Sequence, residues 1–398
     1  MKTIAIIGAG PGGLMAAESL ARLGYTVDVY DHKPSPARKF LMAGRGGLNI
    51  THSEPIDSFL QKYGEAAEFM HPMIGYFTPQ NMRIWCAELG EETFIGTSGR
   101  IFPKSFKSSP LLRSWLERLS NLNVRIHPRH HWTGWNEKGE LAFTTPEQKF
   151  IKADATILAL GGASWPKLGS DGSWVNELEK HNIEIAPLRP ANCGFCVNWS
   201  DIFKSKFAGT PLKSITLTHE GKLINGEIMI SEKGLEGGAI YALSKSIRTA
   251  IETKASTTLT IDLKPDLTIK QLEEKLSHPR GRDTQTNFLR KQTNLSPAAI
   301  NFLYECGDKT KPLAQQIKQV QIPLTQPCPI DRAISSAGGI KLHELDKNLM
   351  LKKMPSVFAI GEMLDWEAPT GGYLLQATFS MGVFVAQGVD KYFKTANI

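Results

Sequence analysis

Hydrophobic and polar positions change period several times along this chain, and the first change comes within a dozen residues. Ile4-Ala5-Ile6-Ile7 is a short continuous apolar run, the pattern of a buried strand. It breaks into Gly8-Ala9-Gly10-Pro11-Gly12-Gly13, after which apolar residues recur at Leu14, Ala17, Leu20, Ala21 and Leu23 with helical spacing. Gly24 stands where a helix C-cap is expected, and Tyr25 to Tyr30 reads as a second strand that ends at Asp31.

Strand, glycine turn, helix, strand and acid, in that order, make up a dinucleotide-binding βαβ unit with a GxGxxG fingerprint. Gly8 turns the chain off the strand, Gly10 leaves room for a pyrophosphate, and Gly13 lets the helix approach the sheet. Free N–H groups at the helix N-terminus face the phosphates, and Asp31 is placed to bind a ribose hydroxyl.

Further along, Phe59 to Glu92 has helical character with a helix start at Phe77-Thr78-Pro79-Gln80-Asn81, Pro110 to Leu122 reads as an amphipathic helix, and Val124 opens a strand. Ile157 to Leu160 is a third buried-looking strand, ending in Gly161-Gly162. From about Leu188 short β-rich runs alternate with turns: Gly194–Asn198, Ser214–His219, Leu223–Ile230 and Thr258–Leu263, with Gly221 and Gly226 bounding a hairpin. Gly234 to Gly238 precedes a helix through Ser244 to Ile251, and residues 268–320 turn helical. The chain then returns to a strand, Ser356 to Ile360, ending in Gly361-Glu362, and Gly371-Gly372 opens a helix running to about Val389. The expected organisation is α/β: a Rossmann-like domain from residues 1–187 and 332–398, interrupted by an insertion at 188–331 whose strands suit a small barrel or sandwich.

Composition narrows the class. Hydrophobic residues at 41 % and charged residues at 21 % of 398 describe a globular protein, and no apolar run approaches the ~20 residues that span a bilayer. Lys2 runs directly into the first strand, so no cleavable leader is expected and the cytoplasm is the expected compartment. A net charge of +7 favours anionic partners. The segment 97–135 carries Arg100, Lys104, Lys107, Arg113, Arg118, Arg125 and Arg129 against the single acid Glu117, interleaved with Phe102, Phe106, Trp115, Trp132 and Trp135. It is either an RNA grip or a solvated basic face backed by core aromatics. Cys193-Gly194-Phe195-Cys196 has no second Cys or His pair to complete a zinc site, so no metal centre is expected. In a strand its two thiols fall on opposite faces, which suits ordinary core residues.

The run Arg38-Lys39-Phe40-Leu41-Met42-Ala43-Gly44-Arg45-Gly46-Gly47-Leu48-Asn49-Ile50-Thr51-His52 resembles the signature of the bacterial YhiN/BaiN-like family of NAD(P)/FAD-dependent oxidoreductases, with Leu48 where that family has a cysteine. Gly99-Arg100-Ile101-Phe102-Pro103, Gly161 to Gly172, and Gly361-Glu362-Met363-Leu364-Asp365 through Thr370-Gly371-Gly372-Tyr373-Leu374-Leu375-Gln376 are similar to further family segments. The resemblance implies an FAD domain interrupted by a β-barrel with a helical cap. FAD would be held by Gly8, Gly10, Pro11, Gly12, Gly13, Asp31, His32, Lys33, Arg38, Lys39, Gly44, Arg45, Gly46, Gly47, Asn49, Gly161, Gly162, Gly361, Glu362, Asp365, Gly371, Gly372 and Tyr373. Binding is taken as non-covalent, with His52, His130 and His131 as the alternative attachment points.

The chemistry implied is hydride transfer from flavin N5 to an electron-poor C=C bond, with a small molecule or RNA as substrate and no DNA partner. No second GxGxxG with a strand before it is present, so NAD(P)H is expected to dock transiently as donor. Tyr373, Arg45 and His52 adjoin the flavin loops and are the candidate catalytic groups. Reduction of uridine to dihydrouridine in ribosomal RNA, a non-catalytic RNA-binding factor with structural FAD, and an oxidase stay open beside this reading.

Overall fold

The computed structural model describes residues 2–44, 46–145 and 147–396. The chain folds as two units, residues 1–189 with 335–398, and residues 190–334.

The first unit is built on a parallel sheet with strand order Val357–Ala359, Ala155–Leu158, Thr3–Ile7 (β1), Thr26–Tyr30 (β2) and Arg125–His127. The apolar run at the N-terminus takes the centre of this sheet: Ile4 pairs with Ala155 along one edge and Val27 along the other, and residues of both faces, Ile4 to Ile7, are buried. Helix α1, Pro11–Arg22, crosses the long terminal helix Tyr373–Ala396 at close range. A Cβ on Gly382 would stand 2.7 Å from the Gly12 carbonyl. That terminal helix extends past the expected Val389, since Val389 and Phe393 still find the core.

An antiparallel meander, His131–Trp135, Leu141–Thr144 and Gln148–Ile151, connects the outer parallel strand back to Ala155–Leu158. The helical stretch expected over 59–92 is three helices, Ile56–Gln61, Ala67–Tyr76 and Pro79–Glu88. The last begins where expected: the Thr78 hydroxyl accepts from Asn81 N–H at 3.2 Å, and the Asn81 side chain accepts from Thr78 N–H at 2.9 Å.

The second unit holds a six-stranded antiparallel sheet in the order Phe195–Cys196, Gly234–Glu236, Lys222–Ser231, Thr210–His219, Thr257–Asp262 and Val320–Leu324. A bridge between Phe195 and Pro327 joins the first strand to the chain just past the last one, curling the sheet towards a barrel. Among the described residues six helices accompany it: Asp201–Phe207, Gly238–Lys254, Ile269–Leu276, Gln285–Thr293, Pro297–Cys306 and Leu313–Lys318. The hairpin expectation is corrected in one respect. The turn sits at Glu220 and Gly221, and Gly226 lies inside the strand Lys222–Ser231 opposite Ile215, where the register shifts. A glycine within a strand marks such an irregularity as readily as a turn. Among the described residues, no helix is long and apolar enough to cross a membrane.

Candidate functional site

The turn between β1 and α1 leaves its glycines little alternative. Gly8 has φ +108°, and a Cβ there would sit 2.3 Å from the Ala159 carbonyl oxygen. One on Gly13 would sit 2.0 Å from the Gly8 carbonyl oxygen. Gly10 is different: a Cβ there would meet no heavy atom within 4 Å, so the space it leaves open is not filled by protein. Gly10 is also the N-cap of α1, with no side chain capping the helix and Pro11 in its first turn. The first-turn N–H groups of α1 thus have no capping side chain at the positive end of the helix dipole.

Asp31 ends β2 beside this turn. Its Oδ2 accepts from Ala9 N–H and its Oδ1 from Lys33 N–H, each at 2.8 Å, which fixes the carboxylate while leaving each oxygen a second lone pair. It lines a cleft of about 370 Å³ together with Tyr30, His32, His131, Asp171 and Trp174. Nε2 of His32 is buried there without a hydrogen-bond partner. Burial lowers the His32 pKa below its ordinary value and favours a neutral ring. Gly169 packs against His32 and Lys33.

On the other side of the turn, helix α2, Arg38–Ala43, carries Lys39 towards the end of the last parallel strand. Its ammonium donates to Glu362 Oε2 at 2.7 Å and to Ser164 Oγ at 2.6 Å. Glu362 Oε1 accepts from Ser336 N–H, and Ser336 Oγ from Ala163 N–H, both at 2.8 Å. Gly162 fits beneath this network, since a Cβ there would approach Ser336 Oγ to 2.3 Å. The Lys39 charge is thus neutralised by Glu362, and the Arg38 guanidinium turns to Ser35 Oγ at 3.4 Å. Gly161 accepts from the Trp174 indole, and Gly361 from the Trp366 indole, through their carbonyl groups. Asp365 is held near Gly338 and Arg189, and burial raises its pKa.

Asn49 serves the backbone, donating to the carbonyls of Thr51 and Ile101 at 2.8 and 3.1 Å. Gly44 packs on Ser108 and Gly47 takes φ +103° beside Phe106, whereas nothing lies within 4 Å of a Cβ on Gly46. The expectation for Arg45 lies outside the described residues.

Gly371 and Gly372 lead into the terminal helix, and a Cβ on Gly372 would stand 2.5 Å from the Thr51 Cα. This contact brings the segment Asn49–His52 to the helix start. There the Tyr373 hydroxyl donates to Glu54 Oε1 at 2.5 Å, and the His52 ring stacks on Tyr373 at 5.5 Å. His52 Nδ1 accepts from Glu54 N–H at 3.2 Å, which puts the ring proton on Nε2 against the Ser98 carbonyl at 2.9 Å. Burial, reinforced by the Glu54 carboxylate, raises the Tyr373 phenol well above its ordinary pKa.

The residues fit FAD on three observations of this structure: the unfilled space beside Gly10, the carboxylate fixed at the end of β2, and the orphaned His32 nitrogen in the adjoining cleft. The family model described as "HI0933-like protein Rossmann domain" matches residues 2–388. The chain belongs to the HI0933-like family. Within it, the chain is 26 % identical to the 3-dehydro-bile acid delta(4,6)-reductase of Clostridium scindens over 406 residues, covering 96 % of this chain and 97 % of that protein. It is 23 % identical to the ribosomal RNA dihydrouridine synthase of Escherichia coli, covering 96 % of each. Among solved structures, the 3-ketosteroid delta1-dehydrogenase of Sterolibacterium denitrificans shares the fold with TM-score 0.53 at 11 % identity, covering 98 % of this chain and 100 % of that one. This HI0933-like protein is an FAD-dependent oxidoreductase.

Several site features have no local signal in the sequence. Ser164, Ser336 and Glu54 complete the networks around Lys39 and Tyr373 from distant parts of the chain. Glu18, inside α1, is 2 % exposed and accepts from both Trp85 and Trp115 indoles while pairing with Arg22 and Arg118. This accounts for part of the basic, aromatic segment 97–135: Trp115 and Trp132 are buried, Arg118 pairs with Glu18, Arg125 with Asp28, and Lys104 with Glu92. Phe106, at 49 % exposed, is its open aromatic ring. Glu184, His343 and Glu344 bring ligand atoms within 4.8 Å of one another, but Lys341 and Lys353 already pair with the two carboxylates.

Proposed function

We propose that this HI0933-like protein reduces a C=C bond conjugated to a carbonyl in a small substrate, with NAD(P)H docking transiently as electron donor. When bound, FAD supplies two-electron hydride transfer. The chain's own residues bind and orient it: Gly8 to Gly13 and the α1 N-terminus take the pyrophosphate, Asp31 and His32 the adenosine, and Gly371-Gly372 present the N-terminus of the terminal helix to the electron-rich edge of the ring system.

The observation that carries this reading is the full-length similarity to the delta(4,6)-reductase, combined with a cradle whose open space at Gly10 fits the cofactor such a reaction uses. The similarity to a ribosomal RNA dihydrouridine synthase supports a second substrate, a uracil ring, whose reduced bond is also conjugated to a carbonyl. The small-molecule reading is preferred because Trp115 and Trp132 are sealed in the core and unavailable to stack on bases.

Anaerobic stopped-flow mixing with NADPH or NADH tests the donor through the flavin band near ~450 nm. Rapid bleaching followed by recovery on adding a conjugated steroid enone is the expected result. Recovery only with uridine-containing RNA replaces the substrate with the second one. Flavin that stays oxidised with both nicotinamides overturns the donor assignment, and protein purified without FAD overturns the whole reading.

A further inference from the structure

The inserted unit holds a cluster of thiols that plays no part in the cofactor cradle. Cys193, Cys196 and Cys328 lie close together, and no disulfide joins any of the five cysteines. The sequence singles out Cys193 and Cys196 by their spacing, yet the short sulfur contact is a different one: Cys196 Sγ lies 3.8 Å from Cys328 Sγ. Backbone pairing explains why. Cys196 N–H donates to the Gln326 carbonyl at 3.1 Å and Cys328 N–H to the Gly194 carbonyl at 2.8 Å, on either side of the Phe195–Pro327 bridge. Residues flanking a bridge pair project to the same face, so Cys196 and Cys328 are diagonal neighbours across two hydrogen-bonded segments. The Cys193 sulfur is directed instead to the Pro190 carbonyl at 3.7 Å.

We propose that Cys196 and Cys328 are an oxidisable pair that hydrogen peroxide converts to a disulfide, tying the first strand of the inserted unit to the segment by which the chain leaves it. A disulfide needs the sulfurs at about 2.05 Å, a closure of roughly 1.8 Å from their present separation. A cavity of about 230 Å³ lined by Cys193, Cys328, Glu236 and Tyr241 opens on the Cys328 side of the pair. Cys196 is half-buried, the more open of the bonded pair.

In the first step the Cys196 thiolate sulfur takes a hydroxyl from the peroxide, whose O–O bond breaks to leave hydroxide. In the second, the Cys328 sulfur attacks the resulting sulfenic acid, the S–O bond breaks, and water leaves with the Cys328 proton. One peroxide is reduced to two waters, and the two thiols together lose two electrons. Burial pushes the Cys328 thiol up to about 12, which slows the second step but leaves its product unchanged. The bond closes nearly the whole inserted unit into one covalent loop, the arrangement in which a cross-link most restricts the unfolded chain.

The test treats the full-length protein with hydrogen peroxide or with dithiothreitol, blocks remaining thiols under denaturing conditions, and maps the cross-linked peptides by mass spectrometry. The expected result is loss of one thiol pair, with Cys328 joined to the peptide that carries Cys193 and Cys196, and fragment ions placing the bond on Cys196. Cys193→Ser keeps the cross-link, whereas Cys196→Ser and Cys328→Ser each abolish it. A bond on Cys193, a cross-link that survives Cys328→Ser, or oxidation of Cys196 that stops at the sulfinic acid overturns the proposal. Peptide mapping of the wild-type chain decides the matter even where a variant fails to fold.

Discussion

Lys39 Nζ and Glu362 Oε2 stand 2.7 Å apart although 323 positions separate them in the chain. The contact fastens α2, which follows the fingerprint βαβ unit, to the end of the last parallel strand, and both side chains are largely withdrawn from water, at 27 % and 17 % exposure. Removing the cation leaves Glu362 as a partly buried charge held by Ser336 N–H alone. Lys39→Met is therefore expected to cost about 1–3 kcal/mol of stability, below the range for a fully buried pair. Combining it with Glu362→Gln should recover part of that loss, because the uncompensated charge is gone. Urea denaturation of the two single variants and the double variant measures both terms. An additive double variant would show that the contact carries no coupling.

The three fingerprint glycines separate folding from cofactor retention. A Cβ on Gly13 collides with the Gly8 carbonyl at 2.0 Å, and the colliding atom is backbone, which cannot move aside cheaply. Gly13→Ala is expected to disrupt the domain outright. Gly10→Ala places its methyl group in open space, so the fold should lose less than about 1 kcal/mol, the scale of a helix N-cap change, while FAD retention falls because that space is where the pyrophosphate belongs. Circular dichroism and the flavin-to-protein absorbance ratio after gel filtration separate the two outcomes. A Gly10→Ala protein that retains its full flavin content would move the pyrophosphate elsewhere.

Tyr373 begins the terminal helix beside the segment Asn49–His52, where a proton donor would be sought. Its hydroxyl proton is committed to Glu54 at 2.5 Å, and its pKa is raised by burial and by that carboxylate, so it gives up a proton reluctantly. A general acid contributes about 10²–10⁴-fold to a rate. Tyr373→Phe is accordingly expected to slow substrate reduction by less than about tenfold, below the range for loss of a general acid. Single-turnover reoxidation of the reduced enzyme by an enone is the appropriate assay. A loss of a hundredfold or more, with the flavin still bound, would make Tyr373 the proton donor.

The sequence makes the cradle legible where neighbours in the chain are neighbours in space. Ile4 to Asp31 contains strand, turn, helix and acid within one βαβ unit, and Thr78 to Asn81 closes its own capping box. Glu18 illustrates the opposite case. It interrupts an otherwise apolar helix face and is satisfied by Trp85 and Trp115, 67 and 97 positions away, so no local pattern distinguishes it from a solvated residue. The thiols behave alike: a spacing of three drew attention to Cys193 and Cys196, while the register about Phe195 and Pro327 paired Cys196 with Cys328. Gly226 lies at a register shift inside a strand and not at a hairpin end, two settings that both call for glycine and look alike in sequence. Long-range pairing decides each of these, and a single sequence does not display it.

His219 gives the inserted unit a dependence on pH whose sign follows from its surroundings. The ring ends the strand Thr210–His219 at 1 % exposure, with Nδ1 at 2.6 Å from Ser246 Oγ and Nε2 at 2.9 Å from Thr257 Oγ1. Burial lowers its pKa, the nearby Glu220 opposes that shift, and Lys254 and Lys222 reinforce it. The folded chain thus disfavours the proton that the unfolded chain accepts near the ordinary histidine value of about 6.5. The stabilisation of the neutral ring is fully present above that value and is lost as pH falls from it towards the folded pKa, with a limiting slope of about 1.4 kcal/mol per pH unit. Urea titrations between pH 8 and pH 5 should show wild-type stability declining more steeply below pH 6.5 than that of His219→Gln, whose side chain can still hydrogen-bond but does not titrate. Parallel curves for the two proteins would remove His219 from the acid sensitivity of the unit.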